Sequence, residues 1–210
     1  MCYSSTRKII SEGIVSLHSK VKKDKIKAKW EILEEEDVSP SKWYPIKKHK
    51  VKLPNGNIID DYFVSNFGNI SLILPILANG DMVFVKQYKH GLGRFMIELP
   101  AGMQQDQKTI EESAIAELEE ETGISTTVEN LTPLGKICQN PTKSFVITHG
   151  FLATDLLFNS EQKLDETEEI EIIVISPSVV LEMIISGEIW VADTVSMILK
   201  ALLSYPEIFA

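Results

Sequence analysis

Cysteine is nearly absent. Cys2 and Cys138 are the two present in 210 residues, and they do not form a CxxC pair. A disulfide framework or a structural zinc site is therefore not expected, and the usage fits a reducing compartment, so the cytoplasm is the expected location. Long apolar runs are missing as well. The longest, ISLILPILA at 70–78, falls far short of the roughly 20 residues that a membrane-spanning helix needs, so no membrane partner is expected. Neither an internal repeat nor a low-complexity tract is found, and the four histidines are scattered. His149, inside a strand-like pattern, reads as a packed residue rather than a catalyst.

Positive charge is scarce beyond the first 29 residues. That segment holds Arg7, Lys8, Lys20, Lys22, Lys23, Lys25, Lys27 and Lys29 against Glu12 and Asp24, a balance of +6 within a total of −9, which leaves −15 for the rest. An anionic body argues against nucleic acid as a partner. The basic extension, 1–29, reads as a targeting peptide, a phosphate-binding arm or, most plainly, a solvated helix. Apolar content of 44% is ample for the core of one domain with an appendage.

From Trp30 to Phe67, WEILEEED and KHKVKLPNGNIIDDYFVSNF read as short strands with a tight turn at Pro54-Asn55-Gly56, which predicts an N-terminal antiparallel hairpin region over 30–67. A second hairpin is expected in ISLILPILANGDMVFVKQY, turning at Asn79-Gly80 between β-branched and apolar runs. RFMIELPAG reads as a short strand entering a loop, because Pro100 lacks a backbone donor and Gly102 tolerates unusual backbone geometry. The clearest helix spans 109–123. Thr109 and Glu112 form a capping-box pattern at its start, and Gly123 suits the left-handed position past its end. Strand-like LTPLGKIC, SFVITHGFLATDL and EEIEIIVIS follow, then helices around PSVVLEMIISG and VADTVSMILKALLSY. This order predicts a mixed α/β or α+β sandwich.

Within the helix, ELEEETG at 117–123 carries four glutamates. At about 100° per residue, Glu117, Glu120 and Glu121 share one face, beside an apolar strip of Ala114, Ile115, Leu118 and Thr122, whereas Glu119 reads as solvated surface. On an open surface such spacing costs only about a few tenths of a kcal/mol. In a partly enclosed site each pair would repel by roughly 3 kcal/mol at an effective dielectric near 20, which a divalent cation would relieve. Oxygen-only ligands favour Mg²⁺ or Mn²⁺ over zinc.

The window from Gly102 to Ile124 resembles the Nudix hydrolase box, G-x5-E-x7-R-E-U-x-E-E-x-G-U with U aliphatic: Gly102, Glu117, Leu118, Glu120, Glu121, Gly123 and Ile124 stand at matching positions. Two positions depart from it. Lys108 stands where the family has its first glutamate, and Ala116 where it has arginine. The similarity extends over about 30–204. VKQYKHGLGRFMIELPAG resembles the strand and loop before the box of ADP-ribose pyrophosphatases, which carry arginines where this chain has Lys86 and Lys89. LDETEEIEI and SGEIWVADT resemble the same subfamily's acidic loop and the start of its final helix. Pro141, 17 positions after Ile124, matches a downstream proline, while the rest of NPTKSFVI diverges.

The resemblance implies an αβα sandwich with a mixed β-sheet over 68–210, preceded by the N-terminal antiparallel β region, and a homodimer formed through the N-terminal strands. It implies hydrolysis of a nucleoside diphosphate linked to another moiety, with ADP-ribose cleaved to AMP and ribose 5-phosphate as the leading reaction. Metal ligands would be Glu117, Glu120, Glu121 and the Ala101 carbonyl, holding Mg²⁺ or Mn²⁺. Glu166 or Glu168 would handle the attacking water, with Glu120 as an alternative base. Lys86, Lys89, Arg94 and Pro141 would contact substrate, or the three cations would be ordinary surface charges and the proline a turn former. The two departures open other expectations: a nucleotide-binding or regulatory protein with weakened turnover, or a hydrolase of nucleotide sugars.

Overall fold

The computed structural model describes residues 28–209, so the expected basic extension lies almost wholly outside the described residues. Among the described residues, ten strands and three α-helices follow in order: β1 (Glu31–Asp37), β2 (Ile46–Lys52), β3 (Ile58–Ser65), β4 (Ile70–Leu77), β5 (Met82–Lys89), β6 (Arg94–Glu98), β7 (Ala101–Met103), α1 (Ile110–Thr122), β8 (Thr132–Ile137), β9 (Thr148–Leu156), β10 (Ile170–Ile175), α2 (Pro177–Ser186) and α3 (Ala192–Ser204). β1, β2 and β3 form a three-stranded sheet in that order.

The chain divides into two compact units. In one, residues 28–35 and 49–62, the chain reverses where the Leu53 amide donates to the Asn57 carbonyl at 2.8 Å and the Gly56 amide to the Leu53 carbonyl at 2.9 Å. A connection this short joins antiparallel strands, since parallel ones need a long crossover. Trp30 meets Tyr62 edge to face at 5.4 Å. Lys50 lies 3.1 Å from Glu34 and 3.8 Å from Asp60; these exposed pairs contribute little.

The other unit, 36–48 and 63–209, is built on a mixed sheet in the order β10-β5-β4-β9-β8, with β6 on β5 and β7 on β4. β4 and β9 are parallel, and the remaining pairs are antiparallel. Alternation along β4 and β5 splits the core in two, because successive side chains leave a strand on opposite faces. Leu72, Leu74, Ile76, Met82 and Phe84 join Met197, Ile198 and Ala201 of α3 and Val180 of α2. Ile73 and Val83 join Ala114 and Leu118 of α1, with Ile124, Phe151 and Ala153. Helices therefore cover both faces, as expected for the αβα arrangement. Each fully buried aliphatic or aromatic side chain contributes about 1.5–3 kcal/mol.

Pro75 sits within central strand β4, and the pairing with β9 shifts register between Pro75 and Leu77, which accommodates the missing donor. Two segments differ from the sequence reading. The stretch after Pro100, expected as loop, forms β7 and pairs with β4 at Leu72↔Ala101 and Ser71↔Gly102. Conversely, β9 begins at Thr148 rather than near Ser144. The Lys143 and Ser144 amides donate to the Asn140 carbonyl, and the Ser144 hydroxyl accepts from the Val146 amide at 3.2 Å. Such local bonds compete with a strand ladder.

Candidate active site

α1 is placed by its own ends. Thr109 Oγ1 accepts from the Glu112 amide at 3.1 Å while Glu112 Oε2 accepts from the Thr109 amide at 2.7 Å, closing the capping box. Gly123 takes φ 70°, ψ 22° and its amide donates to the Glu119 carbonyl. With Ala114 and Leu118 buried, the turn carrying Glu117 and Glu121 lies against β7.

β7 is close enough to require a glycine. A Cβ on Gly102 would stand 2.1 Å from the Glu117 carboxyl carbon. The Ala101 amide donates to Glu121 Oε2 at 3.1 Å. Glu117 also accepts from Gln105 Nε2 at 3.3 Å. Glu121 is only 8% exposed, and burial pushes its carboxyl up to about 8; the Ala101 amide and the Lys89 charge oppose the rise, and Glu117 and Glu168 add to it. Burial also raises Glu117, against the Gln105 hydrogen bond and the Lys108 charge, with Glu120 and Glu168 adding repulsion. These are two desolvated acids with incomplete compensation, which is the condition in which a bound cation stabilises a site.

The C-terminal end of α1 is clamped by a distant loop. Gly123 accepts from the Ser160 amide at 3.0 Å, the Glu120 carbonyl from the Lys163 amide at 2.9 Å, and the Glu121 carbonyl from Gln162 Nε2 at 2.7 Å. Glu119, expected as free surface, accepts from Ser160 Oγ at 2.9 Å and Lys163 Nζ at 3.4 Å. This loop carries Glu168, half-buried and near enough to Glu117 and Glu121 to raise both. Glu166 is exposed on the same loop. Gln105, Gln162 and Ser160 were missed by sequence reasoning; lone polar residues 12 to 41 positions from their partners carry no local signal.

The expected substrate contacts separate. Lys89 pairs with Glu98 at 3.2 Å and acts electrostatically on Glu121. Lys86 pairs with Glu171 at 3.1 Å and shares with Phe95 and Glu168 the lining of a cleft of about 430 Å³. Arg94 lies 5.9 Å over the Trp190 ring. Pro141 is exposed on the loop before β9. That loop is anchored at Gln139, which with Thr148 donates to Asp193 Oδ2. Lys89, Glu98, Ala101, Gly102, Gln139 and Asp193 line a cavity of about 240 Å³ beside β7. A larger cavity, about 570 Å³, lies at the β4–β5 turn between Asn79, Asp155 and Glu207. Size alone selects the latter; the former shares Ala101, Gly102 and Lys89 with the surroundings of Glu117 and Glu121.

Among the described residues, no three His, Cys, Asp or Glu side chains stand together as a formed metal-binding group. Glu117 and Glu121 face β7, and Glu120 interacts electrostatically with Glu117. The donor set nevertheless suits a hard divalent cation: carboxylate oxygens, two of them desolvated, beside a backbone strand that no side chain screens at Gly102.

Residues 70–187 match the NUDIX domain, and residues 30–65 match the nucleoside diphosphate sugar hydrolase N-terminal domain. The chain is 32% identical over 145 residues to the ADP-ribose pyrophosphatase of Bacillus subtilis (strain 168), covering 69% of this chain and 77% of that one. It is 28% identical over 128 residues to the ADP-sugar pyrophosphatase of Mus musculus, covering 56% and 58%. Its fold matches the crystal structure of an ADP compounds hydrolase with a TM-score of 0.76 at 20% identity, over 88% of this chain and 98% of that one. With the domain match spanning more than half of the chain and the box residues gathered on α1 and β7, the chain belongs to the Nudix hydrolase family.

Proposed function

We propose that this chain is a Mg²⁺- or Mn²⁺-dependent hydrolase of nucleoside diphosphates linked to another moiety, with ADP-ribose, cleaved to AMP and ribose 5-phosphate, as its first substrate. The observation that carries this reading is the packing of Glu117 and Glu121 against the Ala101–Gly102 backbone. Glu117, Glu120, Glu121 and the Ala101 carbonyl would hold the cation. When bound, a divalent cation neutralises phosphate oxygens and acidifies water.

The chain's own groups supply the rest. Lys89, adjacent to the acids, binds the diphosphate by charge, and Lys86 and Arg94 at the β5–β6 hairpin contact the rest of the substrate. Lysine does so as a point charge rather than as the fork of an arginine. Water attacks one phosphorus, the P–O–P bridge breaks, and Glu168 takes the proton; Glu166 and Glu120 are the alternative bases. Glu168 is favoured because it faces Glu117 and Glu121 electrostatically. Pro141 borders the substrate on the loop anchored through Gln139.

The domain matches support a division into an N-terminal β region, 30–67, and a catalytic domain, 68–210. We place the protein in the cytoplasm as a homodimer joined through β1–β3; the fully exposed strand β1 supports that surface, since an open strand edge invites pairing. Light scattering of the purified chain checks the dimer. No helix among the described residues is long and apolar enough to cross a membrane.

The deciding assay incubates purified protein with ADP-ribose, ADP-sugars and other nucleoside diphosphate compounds with Mg²⁺ or Mn²⁺, alongside Glu121→Gln. Metal-dependent release of AMP that Glu121→Gln abolishes is expected. Binding without cleavage of any compound would establish the regulatory reading instead, which the changes at 108 and 116 favour. Cleavage confined to another sugar nucleotide would reassign the substrate.

A further inference from the structure

Lys108 and Ala116 replace an acid and a base of the family pattern, and the two changes are chemically connected. One removes a guanidinium next to the acids of α1, and the other places an ammonium in the loop leading to them. Lys108 Nζ donates to Gln105 Oε1 at 2.5 Å, and Gln105 Nε2 donates to Glu117 Oε1 at 3.3 Å. The glutamine is itself held in place. Its backbone N–H donates to Ser113 Oγ at 3.0 Å, and that hydroxyl donates to the Thr109 carbonyl at 2.9 Å. The Lys108 carbonyl accepts from Gln104 Nε2 at 3.0 Å, and the Lys108 amide donates to the Gln105 carbonyl at 3.2 Å. Ser113 lies one turn before Glu117, so a residue fixed on Ser113 stands over the turn that carries the carboxylate.

We propose that Lys108 and Gln105 form a positioning relay that holds the Glu117 carboxylate against β7, in place of the arginine absent at 116. The inference rests on Glu117 being a metal ligand. A glutamine side chain has one accepting and one donating end. An ammonium at 108 fixes the accepting end outward and leaves the donating end for Glu117. A glutamate at 108 would turn the amide round and set its oxygen against the Glu117 carboxylate. Given Gln105, the lysine is the compatible charge.

The test is calorimetric titration of the full chain with Mn²⁺, with melting temperature measured in EDTA. Lys108→Met and Gln105→Leu should weaken Mn²⁺ binding about three- to tenfold. Lys108→Glu should weaken it further, and Lys108→Arg should retain it. Melting in EDTA should stay at the wild-type value for the Lys108 variants, because the side chain is exposed. Wild-type affinity in both Lys108→Met and Lys108→Glu, with binding lost in Glu117→Gln, would overturn the relay and leave the metal site standing. Unchanged affinity in Glu117→Gln would overturn the metal site and the relay with it. A fall in melting temperature that tracks the loss of affinity would reduce the relay to a fold contact.

Discussion

The two sides of α1 treat the same residue type in opposite ways. Glu119 faces the 160–163 loop, and the Ser160 hydroxyl first, then the Lys163 ammonium, hold its carboxyl below the usual range. Two residues on, Glu121 turns inward against β7, where burial dominates and its carboxyl is pushed up to about 8. The first acid is fully compensated by its neighbours. The second is left short of positive charge, and that deficit is what supports the proposed cation there. A run that looks uniform in sequence is thus split by packing into a structural half and a chemical half.

Replacing the inward acid should have the largest effect. Glu121→Gln is expected to lower metal-dependent turnover by about a thousandfold, the scale on which a group acting directly on a charged transition state is felt. Stability should move the other way. Glu121 has a folded pKa of about 8 against an ordinary 4.5, so between these values the unfolded chain binds fewer protons than the folded one, and stability falls as pH rises. The penalty is absent below about 4.5, reaches about 3 kcal/mol by pH 7 and is complete above about 8. Metal-free protein should therefore melt at progressively lower temperature from pH 5 to 8 in EDTA. Glu121→Gln should flatten that slope and melt above wild type at pH 8. Parallel slopes would show that the acid is not desolvated.

The scaffold of this contrast was legible in the sequence because its signals are local. Thr109 with Glu112, and Gly123 in its left-handed position, fixed both ends of α1, and the spacing of the glutamates put Glu117 and Glu121 on one side. What could not be read lies at long separation. Ser160, Gln162 and Lys163 reach α1 from some 40 positions away, and nothing in a polar loop announces which helix end it will clamp. β7 was hidden for a related reason: its three residues are too few for a pattern and become a strand only because β4 offers an edge. Gln105 had no signal at all until its partners at 108 and 117 were in place.

The joint between the two halves gives a smaller effect. Gly123 both ends the helix and receives the loop: it has φ 70°, and a Cβ there would stand 2.6 Å from the Ser160 carbonyl oxygen. Gly123→Ala is expected to lower unfolding stability by about 2 kcal/mol, from the left-handed backbone and the displaced loop together. Chemical denaturation measures the loss. With the proposed base Glu168 on the same loop, kcat should fall while Mn²⁺ affinity, which the proposal assigns to Glu117 and Glu121, changes less. Equal loss of both would mean that the clamp also shapes the metal face.

The outward acid should yield the smallest change. Glu119→Gln keeps an oxygen that can accept from the Ser160 hydroxyl and removes the charge facing Lys163, an exposed pair at 3.4 Å. Exposed pairs of this kind contribute little and are screened by salt. Turnover of the variant should stay within about twofold of wild type, with Mn²⁺ affinity unchanged and the difference vanishing at high ionic strength. A loss on the scale of Glu121→Gln would erase the distinction between the two sides and return all four glutamates to a single acidic patch. A small, salt-sensitive change would confine the metal chemistry to the side that faces β7.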